Sequence, residues 1–264
     1  MKIAFIGLGN MATAVLKGIL KSNIATPQDI LGVCNTESTA LRMNSEYGIA
    51  TYTDLVDDVF EADMVILAVK PQILNAVAGK LKGRLNPDQL IVSVAAGKTL
   101  SWLKENLGEG LKIVRTMPNT PALVGEGCTG ITPSEVISDS ELQTVVNIFS
   151  SFGKAFVVKE NLMDTVGAVS GSSPAFVFMF MEAMADGAVK HGMPRKMAYE
   201  FAAQAVLGSA KLMQESGIHP GELKDMVCSP GGTTIEGVEK LETAGLRGAV
   251  MSAMDAVMDK TKKL

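Results

Sequence analysis

After the apolar run Ile3, Ala4, Phe5 and Ile6 come Gly7, Leu8, Gly9, Asn10, Met11 and Ala12. Two glycines around one residue, with a small residue three places on, form the pattern that brings a backbone turn against a diphosphate. Gly7 permits the tight turn and Gly9 leaves room for the pyrophosphate. Ala12 lets the following helix pack closely on the strand. The helix start then presents unpaired N–H groups and partial positive charge to the phosphates. Behind an opening strand and inside alternating strands and helices, this predicts a dinucleotide site.

A second glycine turn lies far along the chain, at Ser229, Pro230, Gly231, Gly232, Thr233 and Thr234. Pro230 stiffens its entry, and the glycines leave space for a ligand against the backbone. N–H groups at the start of a helix from Thr233 would cradle an anion such as a carboxylate without an Arg. An interhelical turn with Ser229 or Thr233 as helix cap explains the same residues equally well.

Other candidates sit where strands are predicted to end. The second ends at Cys34, Asn35 and Thr36, with Glu37 just beyond; Asn35 and Thr36 can donate to a ribose phosphate, although no Arg stands beside them. This favours NADPH, with NADH as the alternative. Ala68, Val69, Lys70 and Pro71, and then Ala95, Ala96 and Gly97, follow later strands and belong beside the ribose and nicotinamide. Lys70 reads equally as a surface lysine. Pro118 and Pro121 stiffen a loop that would hold Asn119 near the nicotinamide.

The remaining chemistry is sparse. The two histidines, His191 and His219, stand at helix ends as caps or surface residues. No Ser/His/Asp set assembles, and the three cysteines Cys34, Cys128 and Cys228 show no zinc spacing, so no metal is expected. Unpaired cysteines and an N-terminus without a signal pattern predict a reducing cytoplasm. A net charge of −4 without a basic cluster excludes nucleic acid and anionic membranes as expected partners.

These residues must be positioned by a scaffold. Apolar runs at 3–6, 30–34, 64–69, 90–94 and 113–116 have strand length, with helical patterns such as 11–21 and 100–107 between them. Runs at 127–132 and 155–158 add strands at one edge. A parallel sheet covered on both faces follows, a Rossmann-type α/β domain over 1–160. An all-α domain over 161–264 follows it, with helices at 162–191, 195–216, 222–227, 233–243 and 246–262. Residues 165–181 are uncharged and reach the lower limit for a membrane span, about 17 residues. Ser170, Gly171, Ser172, Ser173 and Pro174 in their middle predict instead a helix buried between protein surfaces. Many methionines and small residues in this domain predict a homodimer interface, open to further assembly.

The segment from Asp225 to Ile235, with Ser-Pro-Gly-Gly-Thr-Thr at its centre, resembles the signature of pyrroline-5-carboxylate reductases. The likeness extends in order through residues 7–12, 67–71, 95–97, 119–121, 170–175, 185–189 and 219–225. It implies a Rossmann domain, a helical dimerisation domain and an active site where the two meet. It also implies reduction of 1-pyrroline-5-carboxylate by NAD(P)H to L-proline, the last step of proline biosynthesis. By position, Ser229, Gly231, Gly232, Thr233 and Thr234 would bind substrate, in a loop that can serve a neighbouring subunit's cofactor. Thr234 is the candidate donor to the ring nitrogen. A protonated imine arrives activated, so positioning dominates and the scarcity of acids and bases is tolerable. The chain departs from the pattern at Thr36, where relatives often carry Arg, at Ser173, commonly Gly, and at Cys228.

Three other readings share the first turn. A β-hydroxyacid dehydrogenase needs a lysine as proton acceptor, for which Lys190 or Lys211 is available. A deazaflavin-dependent oxidoreductase shares the N-terminal fold. A non-catalytic dinucleotide sensor would have no use for the loop at 229–234.

Overall fold

The structure, a computed structural model, describes residues 1–263. Its strands are β1 (Ile3–Ile6), β2 (Ile30–Val33), β3 (Ala50–Tyr52), β4 (Met64–Leu67), β5 (Leu90–Ser93), β6 (Lys112–Met117), β7 (Gly127–Pro133) and β8 (Gly153–Val157). They form one 8-stranded sheet in the order β3-β2-β1-β4-β5-β6-β7-β8. The pairs from β3 to β6 are parallel; β7 runs antiparallel to β6, and β8 parallel to β7.

Strands buried on both faces need apolar residues at consecutive positions. Ile3, Phe5 and Ile66 face the core under α1 (Asn10–Lys21), whereas Ala4, Ile6, Val65 and Leu67 face the opposite core. That second core is closed by Leu74, Ala78 and Leu81 of α3 (Pro71–Leu81) and by Leu103 and Leu107 of α4 (Leu100–Leu107). Between β2 and β3 runs α2 (Glu37–Tyr47), and between β7 and β8 runs α5 (Asp139–Ser150).

The chain begins at β1 in the middle of the sheet, works outward to β3, and returns on the other side as β4. Neighbouring loops at β1 and β4 therefore leave in opposite lateral directions. In an open sheet this opens a crevice beyond the carboxyl ends of the strands.

Past β8 the chain turns helical through α6 (Met163–Val166), a π-helical turn (Gly167–Ser172), α7 (Ser173–Lys190), α8 (Arg195–Ser216), α9 (Pro220–Val227), α10 (Thr233–Thr243) and α11 (Leu246–Thr261). The single helix expected over 162–191 is thus interrupted. Gly167, Ser170 and Gly171 are weak helix formers, and the Ser170 hydroxyl bonds back to the Val166 carbonyl at 2.8 Å.

By contact, one compact unit spans residues 1–172 with the chain from Val257 onward, and the other spans Ser173–Ala256. Strands end before residue 160, as the sequence pattern predicts, but compactness continues to Ser172. Met163 and Ala168 are buried in the first unit, and Arg115 of β6 pairs with Glu160 and Asp164. In the second unit α7 packs on α8, and the unit's only buried residues, Ala185, Ala198 and Ala202, lie on these two helices. Phe178, Met179, Phe201 and Met251 are more than 60% exposed. The stretch Glu160–Lys190 is long and apolar enough to cross a membrane by length and composition.

Candidate functional site

At the end of β1 the Gly7 N–H donates to Val33 O at 2.8 Å, with φ at +97°. A Cβ at Gly7 would stand 2.6 Å from Ala68 O, so both its conformation and its neighbour require glycine. Leu8 turns inward over Gly32, where a Cβ would meet the Leu8 side chain at 2.7 Å. Gly9 is the N-cap of α1, at φ −80° and ψ −170°, and no side chain caps the helix. That is ordinary extended backbone, and nothing lies within 4 Å of where a Cβ would be. Nothing within the chain demands glycine at position 9; free space over an uncapped helix start suits a phosphate.

This turn opens into a cavity of about 530 Å³ at the β1/β4 switch point. It brings together the expected Gly7, Leu8, Gly9, Asn35, Ala68, Val69 and Lys70. Thr39, Leu55, Ile73, Val77 and Lys80 also line it and were not anticipated. The α3 residues among them, with Ala76, fall at i, i+3, i+4 and i+7, a helical-face pattern visible in the sequence. Lys70 and Lys80 set two cations against Asp54 along its wall.

The other expected residues lie outside this cavity lining. Asn10, Met11 and Ala12 form the first turn of α1, with Ala12 fully buried. Pro71 opens α3. Ala95 is buried after β5, and Gly97 turns the chain at φ +72°. Thr36 caps α2: its hydroxyl accepts the Thr39 N–H at 3.4 Å and donates to the Thr39 hydroxyl at 2.9 Å. Asn119 is expected to stand near the nicotinamide. Both ends of its amide bond the scaffold, Nδ2 donating to Ser170 O at 3.0 Å and Oδ1 accepting the Cys128 N–H at 2.8 Å.

In the second unit, Gly231 has φ +68° and the Gly232 N–H donates to Ser229 O at 2.9 Å, closing the turn. Gly232 is the N-cap of α10 at φ −79° and ψ 169°, again without a side-chain cap. Its dihedrals nearly repeat those of Gly9. A Cβ there would fall 2.4 Å from Ser229 Oγ, so the serine hydroxyl stands over the helix start without capping it. Of the two readings left equal by the sequence, the cap is not made by Ser229 or Thr233. Thr233 and Thr234 are exposed.

His219 caps α9, its Nδ1 accepting the Gly221 N–H at 3.1 Å. Lys211 is exposed and paired with Glu215, and Lys190 lies in the last turn of α7. No group of three or more His, Cys, Asp or Glu side chains converges as a metal site among the described residues.

The chain is 49% identical over 263 residues to the pyrroline-5-carboxylate reductase of Escherichia coli (strain K12), covering 100% of this chain and 98% of that protein. It belongs to the pyrroline-5-carboxylate reductase family. The enzyme of that name from Methanosarcina acetivorans is 47% identical over 264 residues, covering 100% and 97% of the two chains. The crystal structure of Plasmodium falciparum pyrroline carboxylate reductase with NADP bound matches at a TM-score of 0.88 and 31% identity, across 100% of this chain and 97% of that one. Pyrroline-5-carboxylate reductase dimerisation describes residues 160–264. An F420-dependent NADP oxidoreductase family matches residues 2–97, which hold the first glycine turn. The Rossmann-type domain followed by an all-α domain is as the sequence predicts.

Proposed function

We propose that this chain reduces the C=N bond of 1-pyrroline-5-carboxylate with NADPH, giving L-proline in the last step of proline biosynthesis. The observation that carries the reading is the pair of helix starts at Gly9 and Gly232, alike in dihedrals and both without a side-chain cap, in a chain of this family along its whole length. One suits a diphosphate and the other a carboxylate.

Residues 1–160 serve the nucleotide. Gly7, Leu8, Gly9, Asn10, Met11 and Ala12 hold the diphosphate, and Asn35 and Thr36 stand at the ribose phosphate end. Ala68, Val69, Lys70, Pro71, Ala95, Ala96 and Gly97 line the ribose and nicotinamide. Asn119 serves by fixing its loop. Residues 161–264 provide dimerisation and substrate binding. Ser229, Gly231, Gly232, Thr233 and Thr234 hold the substrate carboxylate, and the Thr234 hydroxyl donates to the ring nitrogen. The reduced nicotinamide, when bound, supplies the hydride. The protein's part is orientation, because a protonated imine needs no further activation. NADPH is preferred over NADH.

The protein acts in the cytoplasm as a homodimer built through the C-terminal helices, which can assemble further. Covering by a second copy, rather than by lipid, accounts for the open apolar faces of α7 and α8. An absorbance assay with pyrroline-5-carboxylate and NADPH tests the activity. Loss of reduced-nicotinamide absorbance with formation of proline is expected. No turnover with NADPH or NADH rejects it, and turnover of a hydroxy acid instead favours the dehydrogenase alternative.

A further inference from the structure

We infer that Arg115 is a positioning residue for hydride transfer, its buried guanidinium holding the loops after β5 and β6 in place through an ionic clasp on two partly exposed carboxylates. The inference rests on the reductase reading above.

Arg115 lies in β6 with 2% of its side chain exposed, where a guanidinium survives only if paired. Its Nη1 is 3.3 Å from Glu160 Oε1 and its Nη2 is 3.0 Å from Asp164 Oδ1, while its buried Nε has no partner. One carboxylate would balance the charge; the second adds geometry. The same Glu160 oxygen accepts the Leu100 N–H at 2.6 Å, at the first residue of α4. Leu100 follows the turn through Ala95, Ala96 and Gly97 after two residues, Lys98 and Thr99. Arg115 thus orients the carboxylate that anchors the exit of that turn.

The other arm leads to the second loop. Asp164 sits in α6, and the chain continues through the π-helical turn to Ser170. The Ser170 carbonyl receives the Asn119 amide, and Asn119 receives the Cys128 N–H. Arg115 itself is four residues before Asn119 in the chain. The loops assigned to the nicotinamide end are therefore both tied to residues 160–170, and Arg115 clasps that segment at Glu160 and Asp164. None of its nitrogens lines the nucleotide cavity, so it acts through its neighbours.

Arg115→Lys keeps the charge, but one ammonium cannot span two carboxylates in the same fork. In the full-length protein kcat should fall about tenfold or more, because small misplacement of reacting groups is costly in rate. The dissociation constant for NADP⁺, set at the diphosphate and adenosine, should stay within about twofold of the unmodified value. The deuterium isotope effect on kcat with 4-deuterated NADPH should rise as hydride transfer becomes slower than the other steps. Should Arg115→Lys fail to fold, Glu160→Gln carries the same three expectations. A folded variant with unchanged kcat and isotope effect overturns the inference, even if it melts earlier. No turnover by the unmodified protein overturns the reductase reading and this inference with it.

Discussion

Gly9→Val separates what the first glycine turn does for the fold from what it does for a ligand. At position 9 the backbone is extended, which valine adopts readily, and no atom lies within 4 Å of the Cβ position. The structural penalty reduces to a poorer N-cap, about 1 kcal/mol, or about 2–4 °C in Tm for a chain of this size. The two γ-methyls would occupy the space over the free N–H groups of α1. A hydrogen bond to a charged oxygen is worth about 1.5–3 kcal/mol, so losing two weakens NADPH binding by about 3–6 kcal/mol. That is a factor of about 10²–10⁴ in Kd. Fluorescence titration of NADPH, beside a thermal melt of the same sample, measures both quantities. Unaltered affinity in a variant that melts normally would refute the placement of the diphosphate.

Gly7→Ala should do the reverse: with φ at +97° and Ala68 O at 2.6 Å from the new carbon, it should cost several degrees in Tm even without ligand, and an unchanged melt would count against the turn geometry. Thr234→Ala should lower kcat while leaving NADPH affinity near its original value; equal rates would remove the hydroxyl from the reaction. Lys112, together with the Ser138 hydroxyl and N–H, holds the Glu141 carboxyl down at about 2. Because the folded value lies below the unfolded one, this stabilisation is full above the unfolded pKa of about 4.3 and disappears as pH falls towards the folded value. Glu141→Gln should therefore flatten the acid limb of a Tm-against-pH curve, and an equally steep limb would contradict the assignment.

Local patterns made much of the architecture legible. Apolar runs placed seven strands, and the spacing of Gly7, Gly9 and Ala12 located the cavity end of β1. β3 escaped notice because Ala50–Tyr52 is a three-residue edge strand with no fully buried position. The π-helical break at Gly167–Ser172 hid inside a run apolar enough to read as one helix. Long-range partners were beyond reach. Arg115 meets carboxylates 45 and 49 residues away, and Asn119 spends its amide on a carbonyl 51 residues away. A loop asparagine between prolines looks free to contact a ligand until the tertiary structure shows what already holds it.

Between Ser173 and Ala256 only Ala185, Ala198 and Ala202 are fully buried, while large side chains such as Phe178 and Phe201 remain open. So thin an interior cannot offset the conformational entropy of ordering five helices. If a second copy covers those faces, the stability of this half depends on concentration by mass action. Its unfolding temperature should climb with protein concentration, and dilution should inactivate it. A damaged copy produced beside an intact one should also poison its partner.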